Sequence, residues 1–271
     1  MSRIAACFER LFSENKKALI PYIVAGDPVK EVTVGIMHAM VASGADIIEL
    51  GVPFSDPEAE GPVIQLAHER ALVHGTSLKD TIAMVAEFRR TDDVTPVLLM
   101  GYVNPIERMG YETFGESASI AGVDATLIVN VPPEEGELLE QSLIAHGLDS
   151  IYLLAPTTTD LRAQYLCSKS RGFIYYVSLK GTTGASLINM DDVEQRVRFL
   201  QQYSKIPMVV GFGIKDGGSA ARVASFADGS VVGTAVVSLF ESSGGEPDKI
   251  ALEVGKLLTE MRHAMDAETV P

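Results

Sequence analysis

Eight short runs of β-branched and apolar residues recur along the chain, and between them lie segments whose apolar residues fall three and four apart. The runs are Ala18 to Ala25, Asp46 to Gly51, Val97 to Tyr102, Ala125 to Asn130, Ser150 to Leu154, Ile174 to Ser178, Pro207 to Phe212 and Ser230 to Thr234. The helical patterns include Glu31 to Ala42, Leu78 to Arg90, Glu134 to His146, Met190 to Tyr203 and Lys249 to Met265. Near-continuous apolar strands suit a sheet covered on both faces, and strand followed by helix eight times predicts a closed parallel α/β barrel. A doubly wound open sheet is the rival, but no marker of a strand-order reversal interrupts the series. The 271 residues match the ~250 such a barrel needs, so a single (β/α)8 domain over residues 1–271 is expected, with an extra helix before the first strand and a frayed tail over residues 265–271.

A formal charge of −14 argues against nucleic acid and anionic membrane surfaces as partners. No apolar run reaches the ~20 residues of a membrane helix, and the amphipathic start lacks the core of a secretory signal, so a cytoplasmic protein is expected. Cys7 and Cys167 have no Cys or His neighbour at metal-ligand spacing and are read as buried thiols.

In such a barrel the chemistry sits at the C-terminal ends of the strands. The five histidines fall within helical patterns, which assigns acid–base work to carboxylates. Glu49 lies within the second apolar run, and alternation points it with Ile47 toward the barrel interior. Burial would raise its pKa toward the range a proton donor and acceptor needs. Glu60 stands on the following Pro-bounded loop, either held over the strand ends or as a solvated acid. Gly211-Phe212-Gly213 and Gly233-Thr234-Ala235 close the last two strands, and helix N-termini after them could hold an anion with main-chain amides. The small, Gly-rich segment Leu179 to Ser186 has the character of a lid.

Ile48-Glu49-Leu50-Gly51-Val52-Pro53-Phe54-Ser55-Asp56-Pro57 with Gly61-Pro62, then Gly181-Thr182-Thr183-Gly184-Ala185, then Gly211-Phe212-Gly213-Ile214, resemble the tryptophan synthase alpha subunit family across nearly the whole chain. The resemblance implies a TIM-barrel lyase that cleaves indole-3-glycerol phosphate to indole and glyceraldehyde 3-phosphate by a retro-aldol step of tryptophan biosynthesis. It implies Glu49 and Glu60 as the catalytic carboxylates, Glu60 standing where the family usually has Asp. It implies phosphate binding at Gly184, Gly213, Gly233 and Thr234, and an indole pocket of Tyr22, Met100, Leu127, Val129, Leu153, Tyr175, Thr183, Phe212 and Val231. It implies no metal and no cofactor in this chain, with pyridoxal phosphate confined to a beta subunit that completes an α2β2 heterotetramer. A regulatory subunit of weak activity, or another phosphate-binding barrel such as a sugar-phosphate isomerase, are the alternatives.

Overall fold

The computed structural model describes residues 2–178, 189–211 and 213–268. Its strands are β1 (Ala18–Val24), β2 (Ile48–Gly51), β3 (Val97–Gly101), β4 (Ala125–Ile128), β5 (Asp149–Ser150), β6 (Leu153–Leu154), β7 (Ile174–Val177), β8 (Met208–Gly211) and β9 (Gly229–Val232). All neighbours pair in parallel, in the order β5-β4-β3-β2-β1-β9-β8-β7-β6. The two ends of that ladder are consecutive in the chain, separated by Ile151 and Tyr152 alone. One extended segment thus leans on β4 through its first half, where Ile151 N–H donates to Thr126 O (2.9 Å), and on β7 through its second, where Tyr175 N–H donates to Tyr152 O (3.3 Å). The ring is closed by that segment, and the result is an eight-stranded parallel barrel whose fifth staves are two short pieces. The expected continuous strand over Ser150 to Leu154 is corrected to this split.

The strands have two buried faces. One carries Leu19, Ile23, Ile48, Leu50, Val97 and Leu99 against the surrounding helices, and the other carries Ile20, Ile47, Leu98, Ala125, Leu127, Val209 and Val231 into the barrel. The helix Arg3–Ser13 belongs to the interior: Ile4, Cys7, Phe8 and Leu11 join the inward cluster, with Phe8 edge-on to Phe173 at 5.9 Å. Arg3 to Asp124 (3.0 Å) and Arg10 to Asp46 (2.9 Å) tie that helix to the starts of strands, so it plugs the end opposite the expected site. Both cysteines are buried and free. The C-terminal helix runs from Pro247 to Glu268, which corrects the frayed tail from residue 265: Met265 is wholly buried and Arg262 pairs with Asp266, so the last turn is held by packing and charge. Among the described residues no helix is long and apolar enough to cross a membrane.

Candidate active site

Glu49 lies on β2, two residues after Ile47, and the extended alternation therefore turns both inward. Its register neighbours are Tyr22 on β1 and Leu98 on β3. The side chain is 1 % exposed, and Oε1 is buried without a hydrogen-bond partner. A buried carboxylate lacking donors is costly when charged. Burial first, and the neighbouring Glu60 second, push its pKa up to about 8.

Glu60 arrives from the loop between β2 and the helix Pro62–Val73, and four contacts shape that loop. Phe54 N–H donates to His68 Nδ1 (3.1 Å), the Phe54 ring stacks on Tyr102 with centroids 5.0 Å apart, Ala59 N–H donates to Tyr102 Oη (3.0 Å), and Gln65 Nε2 donates to Glu60 O (2.8 Å). Turns at Asp56 and Pro57 complete it, through Glu58 N–H to Asp56 O and Glu60 N–H to Pro57 O. Pro62 at the first helical position supplies no N–H where none is needed, so the helix starts directly after Gly61. The loop folds Glu60 inward to 4 % exposure, not out into water, and burial raises its pKa to about 7.

One cleft at the C-terminal end of the barrel is lined by Glu49 and Glu60 together with Tyr22, Ile64, Met100, Tyr175, Ile214, Val231, Gly213, Gly233 and Thr234. Two carboxyls of raised pKa, Glu49 held mostly protonated near neutrality and Glu60 poised between its two forms, thus share a mostly apolar cavity with a set of backbone amides. None of those lining residues is a lysine or an arginine. Gly233 is the N-cap of the helix Thr234–Ser242 and makes no side-chain cap, which leaves the first amides of that helix open toward the cleft. A β-carbon built on Gly233 would touch Ile64 Cδ1 at 3.6 Å and the Tyr22 side chain at 3.9 Å, so it would project into the cavity without a clash. Gly213, at φ 78°, is in the left-handed region that favours glycine.

The helix after Gly213 differs from expectation. Asp216 caps Gly217–Ala224 by accepting from Ser219 N–H (2.8 Å) in a reciprocal box, so this N-terminus is already satisfied and carries a carboxylate. Of the two helices that follow Gly213 and Gly233, the second is the one with open amides. Gly211 also has another purpose: a β-carbon there would lie 2.3 Å from Tyr175 Oη and within 2.7 Å of its ring. Gly211→Ala is accordingly expected to displace the Tyr175 ring and cost about 1–3 kcal/mol in stability, read by denaturant unfolding, with a parallel loss of activity.

Leu127, Val129 and Leu153 do not border the cleft; they belong to the barrel interior and line an adjoining groove with Asn130 and Pro132. Gly184, Thr183, Phe212 and the expected lid, Leu179 to Ser186, lie outside the described residues. The sequence reading passed over Ile64 and Ile214, which line the cleft, and His68, which it placed far from the strand ends. His68 is 2 % exposed and stands one helical turn after Ile64, with Nε2 at 3.3 Å from Tyr22 Oη. The i, i+4 spacing of Ile64 and His68 on a helix that starts straight off the Glu60 loop was the available signal.

Comparison with known proteins agrees with this geometry. The family model described as tryptophan synthase alpha chain matches residues 8–266. Tryptophan synthase alpha chains of Nitrosococcus oceani and Thioalkalivibrio sulfidiphilus are 57% and 54% identical, the first over 98% of each chain and the second over 98% of this chain and 100% of its own. Among solved structures, tryptophan synthase subunit alpha from Legionella pneumophila superposes with a TM-score of 0.90 at 45% identity, covering 98% of this chain and 99% of that one. A chain from the crystal structure of tryptophan synthase from M. tuberculosis in its aminoacrylate-bound form superposes with a TM-score of 0.85 at 32% identity, covering 97% and 100%.

Proposed function

Because the chain belongs to the tryptophan synthase alpha chain family, we propose that Glu49 and Glu60 are the groups with which it cleaves indole-3-glycerol phosphate. The chain is a carbon–carbon lyase of tryptophan biosynthesis, and its products are indole and glyceraldehyde 3-phosphate. The observation that supports these roles is the burial of two carboxyls of raised pKa in the same cleft as the open amides after Gly233.

The bond to be broken joins the indole ring to the glycerol chain. Glu49, protonated near neutrality, donates its proton to the ring carbon that bears the chain. The resulting carboxylate then takes the proton of the hydroxyl on the adjacent carbon. The carbon–carbon bond breaks as that hydroxyl becomes the aldehyde carbonyl, and the bonding pair returns to the ring. Glu49 ends as it began, so the step is balanced in protons. Glu60 accepts the indole N–H and stabilises the positive charge that ring protonation creates. Met100, Tyr175, Val231 and Ile64 supply the apolar walls that a flat heteroaromatic requires, and exclude water from the two carboxyls.

The phosphate is held at Gly213, Gly233 and Thr234, with Gly184 completing the set. An uncapped helix N-terminus binds a dianion through charge-assisted hydrogen bonds of about 1.5–3 kcal/mol each, without a basic side chain. Gly233→Val places two methyls where the β-carbon already points into the cavity. We expect glycerol-phosphate binding, measured by calorimetry, to weaken by at least about tenfold, while the unfolding midpoint changes little because the added β-carbon meets only ordinary contacts at 3.6 to 3.9 Å. Unchanged affinity removes the phosphate site from this helix.

The chain works with a pyridoxal-phosphate-dependent beta subunit in an α2β2 complex, in the cytoplasm, and its own step draws on side chains and amides alone. The loop from Pro53 to Glu60 is the segment through which the partner is felt, since it carries one of the two carboxyls. Indole release by the isolated chain and by the chain reconstituted with a beta subunit tests the whole reading. Negligible turnover in both defeats it.

A further inference from the structure

Two carboxyls and a set of amides account for cleavage, and they leave unused a polar pair buried beside them. Both ring nitrogens of His68 are engaged: Nδ1 accepts from Phe54 N–H at 3.1 Å, and Nε2 lies 3.3 Å from Tyr22 Oη. A main-chain N–H can only donate, so Nδ1 carries no proton. Burial pushes the His68 pKa down to about 4, and the ring is neutral at physiological pH. A neutral imidazole bears one proton, which must then sit on Nε2. His68 therefore donates to the Tyr22 oxygen.

The consequence falls on Tyr22. Its oxygen accepts from His68, so its own O–H cannot point back and must aim elsewhere. The phenol is buried in the cleft wall, and its oxygen stands 2.3 Å from where a β-carbon on Gly51 would be, over the end of β2. On that same strand Glu49 is the direct register partner of Tyr22, and Glu49 Oε1 has no hydrogen-bond partner. A donor without an acceptor and an acceptor without a donor stand on adjacent strands, facing one cavity; no hydrogen bond joins them while Glu49 is protonated, and the bond is the one its carboxylate would call for.

We propose that His68, fixed by the Phe54 main chain, turns the Tyr22 hydroxyl into a hydrogen-bond donor toward the Glu49 carboxyl, so that Tyr22 is a third polar group of the acid–base site and His68 is its positioning residue. The proposal rests on the reading of Glu49 as the proton carrier. The phenol stabilises the carboxylate that Glu49 becomes after protonating the ring, and it holds that carboxylate in place to collect the hydroxyl proton. It also ties chemistry to the loop, because Phe54 and Glu60 belong to the same segment.

The groups that face Glu49 are Glu60 from the loop, Tyr22 from β1 and Tyr175 from β7, with His68 behind Tyr22 and Tyr102 beside Glu60. Titration of Glu49 in the full chain can be followed by its carboxyl stretch in infrared difference spectra, assigned with Glu49→Gln. Tyr22→Phe removes the donor to the carboxylate. The Glu49 midpoint should rise by about one pH unit and kcat should fall about tenfold, with KM little changed. His68→Leu should move both quantities the same way by less. His68→Gln, whose amide can accept from Phe54 and donate to Tyr22, should restore the wild-type values; a purely space-filling role for His68 predicts no such rescue. A Tyr22→Phe chain with wild-type midpoint and kcat, alongside an inactive Glu49→Gln chain, overturns this assignment and leaves the role of Glu49 standing. A Glu49→Gln chain that still cleaves overturns both. If Tyr22→Phe fails to fold, the contrast between His68→Leu and His68→Gln decides: equal midpoints in the two variants reject the proposal.

Discussion

Replacing Glu49 with Gln should lower indole release by about 10²–10⁴-fold, the usual contribution of a positioned acid–base group, while a non-cleavable glycerol-phosphate analogue binds within a few-fold of wild type. Gln keeps the length and shape of the side chain but can neither deliver a proton nor take one away. The phosphate end of the site lies on a different element, the helix after Gly233, so binding should survive. Stability gives an independent check on the same residue. The Glu49 carboxyl has a folded pKa of about 8 against an ordinary value of 4.5, so the folded chain holds this proton more tightly than the unfolded one. Its contribution to stability is complete below about pH 4.5 and is lost as pH rises through 8. Glu49→Gln removes that loss. The variant should therefore be at least as stable as wild type at pH 8, with a flatter dependence of the unfolding midpoint on pH between 4.5 and 8. An inactive variant that is also less stable at pH 8 would point to damaged packing in place of lost chemistry.

That a catalytic group costs stability explains why Glu49 could be found in the sequence at all. A carboxylate inside an apolar run violates the pattern of its own strand, and alternation from Ile47 told which way it faced. The barrel was legible for a related reason: each strand is buried on both faces, which writes an apolar run, and each helix has one buried side, which writes a period near 3.6. What alternation could not supply was the pairing of one short segment with two partners. The break at Ile151 and Tyr152 leaves the sequence as apolar as an unbroken strand, and only the ladder shows that β5 and β6 lean on different neighbours.

The site was legible unevenly, and the unevenness follows chain direction. Residues on strand ends, such as Tyr22, Met100, Tyr175 and Val231, were named through the family resemblance, and the cleft contains them. Residues on the helix after the Glu60 loop were not, because the rule that helices lie outside the barrel ignores their first turns. Pro62 starts that helix so close to the strand ends that Ile64 lines the cleft and His68 meets Tyr22 in its wall. The capping of the helix after Gly213 was written plainly as Asp216 followed three residues later by Ser219, a pattern that excludes open amides there. The roles of Glu60 and Gly184 came from family resemblance, whereas the strand-end glycines at Gly213 and Gly233 already read as an anion cradle; residue pattern alone left Glu60 as either a site group or a solvated acid.

The loop buries Glu60, and Glu60→Gln tests what its carboxyl does there with an effect nearly as large as that of Glu49. If Glu60 accepts the indole N–H, its charge opposes the positive charge that ring protonation creates, and a neutral amide forfeits that opposition. Loss of one such electrostatic contact costs about 10²–10³-fold in kcat. The second consequence concerns Glu49. Burial is the larger cause of its raised pKa, and the charge on Glu60 is the smaller one, so neutralising Glu60 should lower the Glu49 midpoint below 8 without returning it to 4.5. A buried carboxyl that only fills the cleft wall would leave kcat where it was even if the Glu49 midpoint fell, so the two readouts together assign the role. Glu60→Asp then tests reach. The shortened side chain keeps the charge, so the Glu49 midpoint should stay near 8, while kcat reports whether the main chain, pinned by Tyr102 and Gln65, sets the carboxyl at the ring nitrogen for a side chain of this length. A drop of about tenfold or more for Asp, with an unmoved midpoint, would mean that this loop is built around the longer residue.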